Sequence, residues 1–159
     1  MRPSRRRVVQ HITGGVAAIA VVAALAVPVA AAAPQQLTIV AHMSKQGMGT
    51  FEATGAAVDA GLVCAAGTVL DTGSVFGGYQ SGQKVQVQSR KELTCADGSG
   101  TILVKIQIHV VFGGDEPFGW VIQGGTGAYA GLAGSGSGVT SENTDVSNVN
   151  TYDGFVVRR

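Results

Sequence analysis

The chain has 159 residues, of which 45% are hydrophobic and 13% charged, and its formal net charge is +1. This composition argues against an intrinsically disordered chain, and the length suits one compact domain. Four of the eleven basic residues precede residue 33, and residues 33–159 hold seven basic against ten acidic residues, a net charge of −3. Because no Lys/Arg patch is left there, nucleic-acid binding is not expected.

The N-terminus has the pattern of a secretory signal peptide. Arg2 and Arg5–Arg7 form a positive region, Val16–Val27 is an apolar run, and Ala30–Ala32 supplies small residues for cleavage. We expect residues 1–32 to be the signal peptide, cleaved near Ala32, and residues 33–159 to form a single β-barrel domain. The mature protein would then be secreted into the extracellular space.

Two features of the predicted signal peptide allow alternative interpretations. The run Ser4–Val9 resembles a twin-arginine export signal, although an arginine cluster serves the general route equally well. The other interpretation is that the apolar run is a transmembrane helix that is not removed. The apolar run is short for it and is broken by Pro28, whereas a span needs about twenty apolar residues. We therefore expect no stable membrane insertion after the leader is removed.

The rest of the chain predicts one strand after another. The clearest is Thr101–Phe112, where polar and apolar residues alternate with period two over twelve residues. We predict a loop over Ala56–Ala66, with one helical turn as the alternative. The expected strands are Leu37–Met43, Gly49–Ala57, Gly67–Phe76, Lys84–Cys95, Thr101–Phe112, Phe118–Gln123, Tyr129–Val139 and Asn150–Val157.

Glycines are concentrated late in the chain, seven of them within Gly124–Gly138. Glycine in a strand marks a tight bend or the close approach of a neighbour, as the closure of a small barrel needs. Eight strands without exposed edges favour an all-β fold, an eight-stranded antiparallel up-and-down β-barrel, over a sandwich. The expected barrel-closing glycines are Gly124, Gly125, Gly127, Gly131, Gly134, Gly136 and Gly138.

The two cysteines, Cys64 and Cys95, predict one disulfide in an exported protein. A reactive thiol pair is the alternative, but the chain has no C-x-x-C motif. His11, His42 and His109 are neither clustered nor spaced as metal ligands, so no metal site and no cofactor is expected.

The glycine segment also carries a family resemblance. Gly124–Gly127, Tyr129, Gly131 and Gly134 resemble the GG-[TS]-G-x-[FY]-x-G-x-x-G segment of plant dirigent proteins and allene oxide cyclases. The run Tyr152–Val157 is similar to the last strand of those barrels, and the chain as a whole resembles actinobacterial exported proteins of the allene oxide cyclase barrel-like class.

The resemblance implies an eight-stranded antiparallel barrel. It also implies a lumen in which the plant enzymes cyclise or guide reactive hydrophobic intermediates. No polar catalytic residue of either plant family matches a position of this chain, so no catalytic role is carried over.

Asp71 is the only candidate catalytic residue. Its expected neighbours on the same strand face are Val69, Gly73 and Val75, an apolar setting in which a carboxyl group could act as a general acid or base. A register break at Gly73, or a position facing water near the rim, is the alternative. Lys105 and His109 are expected on the solvated outer face.

Aromatic residues are the candidates for a ligand pocket. Their alternative role is simply to fill the core. If Gly134, Gly136 and Gly138 point inward beside Trp120, the lumen has room for an apolar ligand; if they point outward, they only bend the strand. The candidates are Phe51, Phe76, Phe112, Phe118, Trp120 and Tyr129.

Together these features predict a secreted barrel that binds a small hydrophobic molecule in its lumen, or serves as a stable extracellular module. An isomerase or cyclase acting on an apolar substrate in the lumen is one alternative. A purely structural barrel that forms homo-oligomers through its outer face is another. A cavity of a few hundred Å³ would favour a ligand or substrate, and an ionisable residue facing into it would favour the enzyme.

Overall fold

The computed structural model describes residues 32–77, 85–110 and 114–159. In it eight antiparallel strands close into a barrel, each paired with the next along the chain and the last paired with the first. The predicted up-and-down barrel is thus confirmed, and the sandwich alternative is wrong. The strands are β1 (Gln35–Ser44), β2 (Met48–Thr54), β3 (Ala66–Gly77), β4 (Gln86–Cys95), β5 (Thr101–His109), β6 (Glu116–Gly125), β7 (Leu132–Ser141) and β8 (Ser147–Arg158).

Alternation of side chains along each strand builds the core. In β5, Ile102, Val104 and Ile106 are buried, while the residues between them lie on the outer wall. Ten consecutive pairs, from Gln35 with Val156 to Ser44 with Ser147, join β1 to β8. This ladder leaves neither strand with a free edge.

Two short helical turns interrupt the strands among the described residues. The first, α1 (Ala56–Asp59), lies in the segment predicted as a loop with one helical turn, and β2 accordingly ends at Thr54, earlier than predicted. The second is a 3₁₀ helix, Gly127–Tyr129.

The prediction that a strand begins at Tyr129 is therefore wrong, since β7 begins only at Leu132. Gly127 (φ 57°) and Gly131 (φ 78°) adopt left-handed conformations, which bend the chain between β6 and β7.

The strand predicted from Phe118 begins earlier than expected, because β6 already starts at Glu116 and Pro117 pairs with Val139. The predicted strand Thr101–Phe112 ends earlier, at His109, and Phe112 lies outside the described residues.

One end of the barrel, which we call the α1 end, carries the segment between β2 and β3. Ala57, Val63 and Cys64 of this segment are buried in the hydrophobic core. Cys64 and Cys95 form a disulfide with 6.0 Å between their Cα atoms, which confirms the predicted pairing. The disulfide ties this segment to the last residue of β4. We call the opposite end of the barrel the far end.

The glycine face of β7 points into the barrel, and side chains of β6 lie on it. A Cβ atom on Gly136 would stand 2.8 Å from Trp120 Nε1, and one on Gly134 would stand 3.2 Å from Ile122 Cδ1. A Cβ atom on Gly138 would overlap the ring of Phe118. The glycines therefore do face inward, but side chains of β6 occupy the room that they leave.

Candidate functional site

Polar side chains gather in the far-end half of the lumen. In the described part of the chain, the buried polar or charged residues are Ser89, Lys91, Thr140 and Asn150. Each lies on a strand face whose other members belong to the core, for example Val87 and Leu93 on either side of Ser89 and Lys91. These polar groups distinguish this half of the barrel from the apolar α1 end. Burying a polar group lowers stability unless the group is hydrogen-bonded, so each of them needs a partner.

A β-bulge aims Asp71 at this region. The pairing of β3 with β4 shifts between Asp71, opposite Lys91, and Gly73, opposite Arg90. The register break that was the alternative interpretation of Asp71 is therefore confirmed. Before the bulge the odd-numbered residues of β3 face inward, and beyond it the even-numbered residues do. Ser74 therefore pairs with Ser89 on the inner face.

The Asp71 carboxylate is held by several donors. Ser89 Oγ donates to its two oxygens at 2.9 and 3.0 Å, and Lys91 Nζ donates at 3.2 Å. The Gly73 N–H donates at 3.2 Å, and Ser74 Oγ lies 3.4 Å away. The Lys91 side chain is 7% exposed and that of Asp71 is 24% exposed, so the ion pair is largely shielded from water.

Tyr152 completes what we call the lumen cluster: Asp71, Ser89, Lys91 and Tyr152. Its ring packs edge-on against Phe118, with 4.9 Å between centroids, and against Trp120. Its hydroxyl is buried and has no hydrogen-bond partner among the described residues. Burial, and after it the negative charge of Asp71, raises the pKa of this phenol far above its ordinary value, so it stays protonated at neutral pH.

More polar groups lie nearer the far end. Thr140 Oγ1 donates to Asn150 Oδ1 at 2.7 Å, and Asn150 Nδ2 donates to Asn148 Oδ1 at 3.2 Å. Glu116, opposite Thr140 in the ladder, begins β6. Desolvation by burial raises the pKa of Glu116, although the charge of Lys45 opposes the shift.

The aromatic candidates for a ligand pocket separate into different environments. Phe51, Phe118 and Trp120 are buried in the core. The indole N–H of Trp120 donates to the carbonyls of Ser137 at 3.0 Å and Asp153 at 3.2 Å, which locks the ring onto the glycine face.

The other candidates are more dispersed. Tyr129 is buried at the end of the 3₁₀ helix, and its hydroxyl is 2.6 Å from Ser99 Oγ. Phe76 stands opposite Val87 on the inward face near the far end, yet is 72% exposed. Phe112 lies outside the described residues. The predicted pocket residues thus do not form one group, and Phe118 and Trp120 are the pair that touches the lumen cluster.

The described part of the structure has a cavity at the bulge and a groove on the outer wall. A cavity of about 210 Å³ at the bulge reaches Ser74 and Ser89. A groove of about 560 Å³ runs along the outer wall and is lined by the exposed side chains of Val121 and Phe155. This groove faces away from the lumen cluster. His109 is exposed on the outer wall and Lys105 is half-buried.

Within residues 32–77, 85–110 and 114–159, no helix is long and apolar enough to cross a bilayer. Nor does this part of the chain bring together three His, Cys, Asp or Glu side chains in a way that could hold a metal ion.

Lys91, Ser89 and Tyr152 were not singled out from the sequence, although a signal for them exists. Alternation along β4 places Ser89 and Lys91 on the same face as Val87. A lysine on the apolar face of a strand needs a negatively charged partner. Asp71, which was already predicted to lie on an apolar strand face, could supply that charge. Tyr152 sits on the same face as Val156 in the last strand.

No family model, curated protein or solved structure matches this chain. The resemblance of its glycine segment to the dirigent and allene oxide cyclase barrels accordingly stays a prediction.

Proposed function

We propose that this protein is a secreted barrel that binds a small, mostly apolar molecule in the far-end half of its lumen. The observation that carries the proposal is the Tyr152 hydroxyl, which is buried without a hydrogen-bond partner among the described residues. An unsatisfied buried hydroxyl costs about 1–3 kcal/mol, so a partner outside the protein chain is expected to satisfy it.

The surroundings of Tyr152 fit such a ligand. Met43, Val87 and Phe118 supply apolar walls in this half of the barrel. The lumen cluster and the pair of Thr140 with Asn150 supply a few polar groups. Ligand sites typically combine predominantly apolar walls with a small number of placed polar groups.

The disulfide supports the proposed secretion. Cys64 and Cys95 are joined, and such bonds persist mainly in oxidising compartments outside the cytoplasm. Together with the N-terminal pattern, this favours export followed by removal of residues 1–32.

Native mass spectrometry of protein purified from culture medium tests the proposal. We expect a chain that begins near Ala33, contains one disulfide and retains a small molecule that denaturation releases. A matched preparation of Trp120→Ala, which removes one wall of the site, should retain less of that molecule. An unliganded wild-type protein that also fails to bind apolar phenylalkyl probes in calorimetric titrations would contradict the proposal.

A second candidate, an isomerase or cyclase, is favoured by the charged side chains of Asp71 and Lys91, which face the lumen. The molecule released from Asp71→Asn protein distinguishes it from simple binding. If the barrel catalyses an isomerisation, the variant should release an isomer of equal mass but different chromatographic retention. Identical molecules from both proteins would leave binding as the function.

The structural alternative, assembly through the outer face, depends on the groove of the outer wall. Phe155 is 58% exposed and Val121 is 43% exposed there. The same mass spectra report the number of subunits. If the groove mediates assembly, Phe155→Ser should return an oligomer to the monomeric state, and a wild-type monomer would exclude this role.

A further inference from the structure

In the charged pair of the lumen cluster, Lys91 has spare hydrogen-bond donors while Asp71 has little acceptor capacity left. An ionised carboxylate offers about four acceptor positions. Asp71 already accepts from Ser89 with both oxygens, from Lys91 and from the Gly73 N–H. A ligand that must donate a hydrogen bond therefore finds this carboxylate largely occupied.

Two donors of the cluster have capacity left. A lysine ammonium carries three N–H groups, and Lys91 donates one hydrogen bond among the described residues, to Asp71. The phenol of Tyr152 is protonated at neutral pH, and its O–H has no protein acceptor among the described residues. The cluster thus selects for a hydrogen-bond acceptor on the ligand.

The charges of the cluster exclude most charged ligands. Lys91 and Asp71 form an ion pair, so their charges balance. A carboxylate or an ammonium group on the ligand would bring an additional charge that has no counter-charge in this pair. Burying an uncompensated charge is far more costly than burying a hydrogen-bonded neutral group.

We propose that the ligand carries a neutral carbonyl oxygen, as in a ketone, ester or lactone, which accepts a hydrogen bond from the Tyr152 hydroxyl while its apolar body lies against Phe118. This inference rests on the proposed function, because it names the chemical class of the molecule held in the same lumen.

A series of probes with one phenylalkyl body tests the inference by calorimetric titration at neutral pH. The probes are 1-phenyl-1-butanone, butylbenzene, 4-phenylbutanoate and 4-phenylbutylamine. The ketone should bind about tenfold more tightly than the hydrocarbon, as one hydrogen bond of ordinary strength provides. The two charged probes should bind more weakly than the ketone.

Tyr152→Phe is the matched variant, since it removes the hydroxyl and keeps the ring. It should weaken ketone binding about tenfold and leave butylbenzene unchanged. The C=O stretching band of the bound ketone should shift to lower frequency in wild type, as hydrogen bonding causes, and less in the variant. This band reports the contact directly, so a general disturbance of folding would not mimic it.

The outcomes separate the two proposals. Equal binding of ketone and hydrocarbon, or tightest binding of the carboxylate, would overturn the carbonyl inference and leave lumen binding standing. Binding of none of the four probes by either protein would overturn lumen binding and the carbonyl inference with it.

Discussion

At the scale of single residues, the ion pair of Lys91 and Asp71 has the clearest expected effect on the free energy of unfolding. Both side chains are largely buried, and Lys91 donates to Asp71 at 3.2 Å. Lys91→Met leaves the carboxylate without its counter-charge. Removal of one partner of a buried pair destabilises strongly, so we expect the free energy of unfolding to fall by about 3 kcal/mol in urea titrations.

The double variant Asp71→Asn/Lys91→Met is the matched control, because it removes both charges and keeps an acceptor for Ser89 Oγ. It should recover most of the lost stability, since neutral replacement of a buried pair is often tolerated. Equal destabilisation by the single and double variants would contradict the role of charge balance.

Glu116 predicts a pH dependence. Burial raises the pKa of its carboxyl above the reference value of 4.5, so the folded barrel favours the protonated form. The stabilisation from this preference is fully present below the unfolded pKa and is lost as pH rises through the raised folded pKa. Unfolding titrations from acid to neutral pH should show that loss in wild type and a flatter profile in Glu116→Gln. Equal dependence of the unfolding free energy on pH in wild type and Glu116→Gln would contradict the role given to Glu116.

At the scale of elements, the bare face of β7 holds the rings of β6 in place. A Cβ atom on Gly136 would overlap the carbonyl oxygen of Asp153 in β8 and would also lie 2.8 Å from Trp120 Nε1. Gly136→Ala should displace the indole and weaken its hydrogen bonds, at a cost of about 3 kcal/mol in thermal or urea unfolding.

Gly119→Ala is the control, because a Cβ atom there meets nothing closer than the Gly136 carbonyl at 4.0 Å. It should change stability little. Comparable losses in Gly136→Ala and Gly119→Ala would show that the glycines serve strand conformation and not the seating of Trp120.

The disulfide fixes the α1 end of the barrel. It closes a loop with a sequence separation of 31 residues, and loss of such a bridge costs about 3–4 kcal/mol in the chain-entropy model. Cys64→Ala/Cys95→Ala should unfold at correspondingly lower urea concentration, and a reducing agent should lower the wild-type midpoint toward that of the variant. A wild-type midpoint insensitive to reduction would contradict this.

Sequence alone predicted the strands, because alternation over β5 and turn residues between strands are local signals. It failed at Tyr129, where the left-handed glycines on either side bend the chain. It also could not say whether Gly134 and Gly136 leave a cavity. That depends on Ile122 and Trp120, which reach them only through the pairing of β6 with β7.

The candidate site was predictable only in part for a similar reason. Asp71 was recognised from its apolar neighbours, but its partners Ser89 and Lys91 come from another strand. Their meeting depends on the register of β3 with β4 and on a bulge that alternation alone does not locate. Tyr152 is more than sixty residues away from either partner along the chain, so only closure of the barrel brings it to Asp71.

At the scale of the whole molecule, the barrel divides into two chemically different halves. The α1 end is filled by apolar side chains and closed by the disulfide-linked segment. The far-end half holds the buried polar residues, including the Tyr152 hydroxyl, which has no partner among the described residues. The proposed lumen site would use this division, since one half maintains the fold while the other keeps polar groups that lower stability.

The most direct test is a crystal structure of the protein purified from culture medium, at a resolution that identifies ligand atoms. We predict a closed barrel with an acceptor atom of a non-protein molecule about 2.6–3.2 Å from the Tyr152 hydroxyl oxygen. The proposed lumen site would be contradicted by a Tyr152 hydroxyl that is hydrogen-bonded only to a protein group or to water, in a lumen otherwise filled by side chains.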